Sequence, residues 1–180
     1  KSPALFRAFG EALNAMGGLY YTAEDSGITE DDLEIVRTVS KYVSGIEANG
    51  VGGNPSPFTA RGVWRGIEAA ARVKLGRETL DGLRVAILGV GAVGMALATH
   101  LHRAGAKLVV SDVDERAVKQ AVERFGAQVI APQHAIAADV DVFSPCALGG
   151  SINAETIGRL KAKIVAGAAN NQLLTPDMDE

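Results

Sequence analysis

Residues 83–112 constrain the fold more than any other stretch. An apolar run, Leu83-Arg84-Val85-Ala86-Ile87-Leu88, reads as a buried strand. It runs straight into Gly89-Val90-Gly91-Ala92-Val93-Gly94, a G-x-G-x-x-G string. A helical stripe of Val93, Leu97, Leu101 and Ala104 follows, then a second apolar run, Leu108-Val109-Val110. Asp112 closes that run, eighteen residues after Gly94. By itself the string is a common glycine-rich turn. Strand before, helix after and a distal acid together predict a dinucleotide cradle.

Each position has a physical reason. Gly89 permits the strand-to-helix turn, Gly91 keeps a Cβ out of the path of a diphosphate, and Gly94 lets the helix pack close to the sheet. Val90, Ala92 and Val93 complete the loop and first turn, where unpaired N–H groups and the positive end of the helix dipole face an anion. Asp112 is placed to accept from the two hydroxyls of the adenosine ribose. It repels a 2′-phosphate, and Asp114 and Glu115 add to the repulsion, so the expected cofactor is NAD, with Arg116 as the opposing signal.

The rest of the chain continues the alternation. Strands are expected at 83–88, 107–112, 128–131, 140–144 and 163–167, with helices at about 92–104, 114–125 and 153–161. Asp114 is the expected N-cap of the second helix and Gly126 its stop. Strands separated by helices of this length predict an α/β fold, a Rossmann-type doubly wound parallel sheet. Upstream, 3–16 reads as a helix ended by Gly17-Gly18, Tyr20–Ala23 as a short strand, and Thr29 with Asp32 as a capping box opening another helix. Residues 44–57 are rich in Gly, Asn and Pro and read as a hinge loop. Ser56 is an expected N-cap, before a helix burying Ala60, Val63 or Trp64, Ile67 and Ala70 or Ala71 and stopping at Gly76. The division expected is 1–50 as the end of a separate α/β domain and hinge, and 51–180 as the dinucleotide-binding unit.

Composition narrows the partners. Net charge is −3 with no basic stripe, which argues against nucleic acid or an anionic membrane. No apolar run approaches the ~18 residues that span a bilayer. Cys146 is the single cysteine, so no intrachain disulfide is expected, and a reducing cytoplasm fits. His100, His102 and His134 have no metal-ligand spacing; His100 and His102 read as surface residues, and no metal is assigned. The chain opens at Lys1 and ends at Met178-Asp179-Glu180, which reads as an internal piece of a longer protein.

Several further segments carry a resemblance. Phe6-Arg7-Ala8-Phe9-Gly10, Tyr21-Thr22-Ala23-Glu24-Asp25-Ser26-Gly27, Gly53-Asn54-Pro55-Ser56-Pro57-Phe58-Thr59, Ser144-Pro145-Cys146-Ala147-Leu148-Gly149-Gly150 and Ala166-Gly167-Ala168-Ala169-Asn170-Asn171-Gln172-Leu173 occur in the order of the glutamate/leucine/phenylalanine/valine dehydrogenase family. The chain resembles that family over nearly its whole length. The resemblance implies that 1–50 ends a substrate domain and that the activity is oxidative deamination of an L-amino acid with NAD. It implies Asp25 as the catalytic proton carrier. Ser56, Thr59, Cys146, Ala147 and Asn170 join the glycine loop as cofactor contacts, and Ala23 and Asn171 become substrate contacts. Ala23 leaves room for a branched aliphatic side chain, so leucine or valine is expected, with phenylalanine as the alternative. A homo-oligomer is also implied.

Plainer readings exist beside these. Asp25 before Ser-Gly fits an Asx-turn, Ser56 needs no ligand to act as a cap, and Asn170-Asn171 fit a polar turn. Cys146 fits a small buried apolar residue better than a nucleophile. The family's two functional lysines lie in Gly-rich segments, and none of Lys1, Lys41, Lys74, Lys107, Lys119, Lys161 and Lys163 has that context. The 180 residues alone are therefore expected to turn over little or no substrate, and a non-catalytic NAD-binding module is the competing reading.

Overall fold

The structure, a computed structural model, describes residues 1–25, 27–46 and 53–176. The chain forms two compact units, Lys1–Pro55 and Ser56–Glu180.

The first unit is built on α1 (Pro3–Ala15) and α2 (Glu30–Arg37). Ser2 caps α1 and Pro3 opens it, a position where the missing N–H costs nothing. Phe6, Gly10 and Leu13 recur at helical spacing and are buried. A Cβ on Gly10 would run into Val39, so the glycine lets α1 approach the segment after α2. Thr29 and Asp32 form the expected capping box: the Asp32 N–H donates to Thr29 Oγ1 at 3.3 Å, and the Thr29 N–H donates to Asp32 Oδ2 at 3.0 Å. The strand expected at Tyr20–Ala23 shrinks to one parallel bridge between Thr22 and Val43. The Thr22 N–H donates to Tyr42 O and the Ser44 N–H to Thr22 O, and the ladder extends no further. Residues 47–52 of the expected hinge, and Ser26, lie outside the described residues.

The second unit is a five-stranded, wholly parallel sheet in the order β3-β2-β1-β4-β5. Its strands are β1 (Arg84–Leu88), β2 (Lys107–Ser111), β3 (Gln128–Val129), β4 (Val142–Pro145) and β5 (Ile164–Val165). Alternation along β1 feeds two cores. Val85 and Ile87 join Ile67, Leu97 and Leu101, while Ala86 joins Phe143, Ala135, Ile136 and Ile152. Helices α3 (Ser56–Leu75), α4 (Ala92–Arg103), α5 (Glu115–Phe125) and α6 (Pro132–Ala135) complete the unit. α3 buries Ala60, Ile67 and Ala71 and begins at Ser56 itself, so Ser56 opens the helix instead of standing ahead of it. Asp114 caps α5, and Gly126 ends it in the left-handed region at φ 62°.

The helix expected over 153–161 is a single 3-10 turn, Ile157–Arg159. Local side-chain bonds explain the loss. Asn153 accepts from the Glu155 N–H and donates to Gly150 O, and Thr156 Oγ1 donates to Ser151 O. These bonds offer the backbone an alternative to an α-helix. α6 has no counterpart in the sequence expectation, and β3 and β5 are shorter than expected. Among the described residues no helix is long and apolar enough to cross a membrane.

Candidate functional site

β1 pairs with β2 on one side and β4 on the other, so the sheet reverses direction of winding between β1 and β4. The loops after these two strands meet at the carboxyl end of that switch point, where open α/β sheets bind ligands. The three glycines there differ in what surrounds them. Gly89 sits at φ 96°, and a Cβ on it would lie 2.7 Å from the Ala147 nitrogen. A Cβ on Gly94 would collide with the Gly89 carbonyl. Gly91, at φ −68°, would place its Cβ within 4 Å of nothing. Internal packing therefore requires Gly89 and Gly94 and is indifferent to Gly91. The space kept open at Gly91 faces the amino end of the twelve-residue α4, which has no side-chain cap. These residues fit a diphosphate. Ala92 is exposed and Val93 half-buried in the first turn of α4; Val90 is buried in the main core.

Asp112 directly follows β2. Its Oδ2 accepts from the Val90 N–H at 2.7 Å, and its Oδ1 accepts from the Asp114 N–H at 2.9 Å. Each oxygen keeps a second lone pair for a ribose hydroxyl. Arg116 folds back on Asp114, with Nε at 3.3 Å from Oδ1 and Nη2 at 3.4 Å from Oδ2. This hydrogen bonding holds the Asp114 carboxyl below the usual carboxylate range.

The loops after β4 and β5 are fastened to the same region. The Cys146 N–H donates to Leu88 O at 2.7 Å, and the Ala169 N–H to Pro145 O at 2.9 Å. The Gly150 N–H donates to Asn171 O at 2.6 Å, and a Cβ on Gly149 would lie 2.7 Å from that oxygen. Ala147, Asn170 and Asn171 are exposed on this surface. Cys146 is half-buried, 3.6 Å from Ser144 Oγ, and burial pushes its thiol up. Burial of this kind disfavours the thiolate. Ser56 is buried at the start of α3, and Thr59 is exposed one turn later.

In the first unit a cavity of about 470 Å³ is walled by Phe6, Phe9, Tyr20 and Leu33 together with Ala23, Glu24 and Asp25. The Asp25 carbonyl accepts from the Ile28 N–H at 2.8 Å, closing a turn that leaves the residue exposed.

Over residues 84–171 the chain matches the family model described as NADP oxidoreductase coenzyme F420-dependent. It is 48% identical over 174 residues to a leucine dehydrogenase of Bacillus subtilis, covering 96% of this chain and 48% of that protein. The solved structure of L-tryptophan dehydrogenase from Nostoc punctiforme superposes with a TM-score of 0.71 at 41% identity, over 98% of this chain and 50% of that one. It belongs to the glutamate/leucine/phenylalanine/valine dehydrogenase family. A hetero-hexameric glutamate dehydrogenase from Thermus thermophilus shares the fold, with a TM-score of 0.75 at 22% identity over 98% of this chain and 48% of that one. The chain spans about half the length of the curated relatives it matches.

Two residues of this dehydrogenase-family chain escaped the sequence reading. Glu24 lines the cavity with one carboxyl oxygen buried and without a hydrogen-bond partner. Burial first, and the charge of Glu30 second, push its pKa up. The signal was present: Thr22 is buried, and in an extended segment residue i+2 faces the same way. His100, expected on the surface, is half-buried and stacks on Trp64 with centroids 4.9 Å apart and planes 5° from parallel.

Proposed function

We propose that this chain supplies the cofactor cradle and part of the substrate machinery of an NAD-dependent L-amino-acid dehydrogenase acting on branched-chain aliphatic substrates. The carrying observation is the open Cβ position of Gly91 over the uncapped end of α4, with Asp112 fastened beside it. The similarity to leucine dehydrogenase supports the substrate class. The fold holds that family's shape, and the whole protein is proposed to act as a homo-oligomer in the cytoplasm.

The roles follow from chemistry and placement. Gly89, Val90, Gly91, Ala92, Val93 and Gly94 shape the loop that receives the diphosphate. Asp112 accepts from the ribose hydroxyls and turns away a 2′-phosphate. Cys146 and Ala147 wall the nicotinamide side, Asn170 holds its ribose, and Ser56 and Thr59 contact the cofactor from α3. A nicotinamide cofactor held by these residues would supply the oxidising equivalent, a hydride acceptor for the substrate Cα hydrogen. Asp25 holds and relays protons for the substrate amine and for the attacking water. Ala23 leaves space for a branched side chain, and Asn171 hydrogen-bonds the substrate.

Two measurements test this. Titration of the 180-residue chain with NADH and NADPH, followed by nucleotide fluorescence, is expected to show tighter NADH binding. The family model's description names NADP, so tighter NADPH binding reverses the dinucleotide assignment. The whole protein, given NAD and L-leucine, L-valine, L-phenylalanine or L-glutamate, is expected to form NADH fastest with leucine or valine. NADH binding with no turnover on any amino acid favours a binding module and returns Asp25 to the role of a turn residue.

A further inference from the structure

Arg116, a cation close after Asp112, is exposed but turned toward a neighbouring carboxylate. Arg116 lies on the first turn of α5, four residues after Asp112, the residue proposed to meet the ribose. Its Nε, its Nη2 and its backbone N–H all turn to the Asp114 carboxylate. Asp114 does two things at once: as N-cap it accepts from the Arg116 N–H at 2.9 Å, and with the same carboxylate it engages the guanidinium. Asp112 is itself fixed, each oxygen already accepting a backbone N–H. The segment thus sets a carboxylate fixed by two backbone N–H groups beside an exposed guanidinium that leans on Asp114.

We propose that Asp114 is a specificity-determining residue for the dinucleotide: it holds Arg116 back from a 2′-phosphate, so that Asp112 alone faces the ribose. This rests on the nicotinamide reading above. The pair is exposed, with side chains at 91% and 47% of full accessibility, so the restraint is modest. It acts on an adaptable guanidinium that binds phosphate in a forked geometry once free.

The test uses the 180-residue chain and titrations with NADH and NADPH at low and high salt. Asp114→Asn keeps an N-cap acceptor but removes the charge that holds Arg116; thermal melting confirms that it folds. NADPH affinity is expected to rise about twofold to fivefold, the size of effect an exposed pair allows, with NADH moving less. In an Arg116→Ala background the same substitution is expected to give no NADPH gain. A gain that persists without Arg116 is mere loss of a repelling charge and overturns the proposal. So does an unchanged NADPH affinity in Asp114→Asn. Failure of the unaltered chain to bind either dinucleotide overturns the nicotinamide reading and this proposal with it, which sets that failure apart from the others.

Discussion

The Asp112 carboxylate ties the end of β2 to the glycine loop through the Val90 N–H at 2.7 Å, so the side chain proposed to meet the ribose also fixes the loop. Its other oxygen takes the Asp114 N–H. Two backbone donors converge on one carboxylate, and an amide offers only one acceptor oxygen. Asp112→Asn is therefore expected to leave one donor unmet, lowering unfolding free energy by about 1–3 kcal/mol and NADH affinity at least about tenfold. Urea denaturation and NADH titration read the two effects, and an Asn variant with unchanged stability contradicts the bond network.

The first unit carries two carboxyls with opposite pH behaviour. Glu24 is pushed above its ordinary value of 4.5 by burial and by Glu30, so the folded chain holds that proton more tightly than the unfolded chain. Its contribution is present below the ordinary value and is lost as pH rises through the raised one. Asp32 is lowered from 3.8 by its bond to Lys1 and by the Thr29 N–H, so its contribution is present above that value and lost as pH falls. Stability of the chain is expected to decline on the alkaline side of 4.5 in a way that Glu24→Gln removes. Denaturation midpoints for both proteins across the acid to neutral range are the check, and parallel curves refute the assignment.

The capping box and the glycine turn were legible because local chemistry decides them: Thr29 with Asp32, Asp114 with the amino end of α5, Gly89 to Gly94 at the strand–helix turn. The parallel, helix-covered sheet followed from strands separated by helices. What escaped was decided elsewhere. The 153–161 segment has helical spacing, yet Asn153 and Thr156 hydrogen-bond their own neighbourhood and unwind it to a 3-10 turn. His100 looks polar in sequence, and the stack on Trp64, 36 residues earlier, draws it inward. Glu24 was passed over beside Asp25 because an acid next to a candidate catalytic acid reads as solvated until its burial is known.

Ser111 ends β2 fully buried, and its hydroxyl has no hydrogen-bond partner. A buried polar group left unpaired costs about 1–3 kcal/mol. Ser111→Ala removes that group with little change of volume, so it is expected to leave stability unchanged or raise it by about 1 kcal/mol. Calorimetry distinguishes this from the usual cost of a core substitution. Loss of stability means that the hydroxyl has a partner in solution, such as a bound water.

Gly91 and Gly94 separate folding from binding within one motif. A methyl on Gly94 meets the Gly89 carbonyl, backbone that cannot yield without moving β1 or α4. Gly94→Ala is therefore expected to destabilise the chain by about 3 kcal/mol, the upper range for overpacking. A methyl on Gly91 meets no protein atom within 4 Å, and φ −68° suits any residue. Gly91→Ala is expected to melt within about 0.5 kcal/mol of the unaltered chain while losing NADH affinity at least about tenfold, because its methyl occupies the space kept for the diphosphate. Melting and NADH titration of both variants give four numbers. A Gly91→Ala protein that is stable and still binds NADH normally removes the diphosphate from that space. A Gly94→Ala protein as stable as the original removes the close helix-to-strand approach on which the cradle is built.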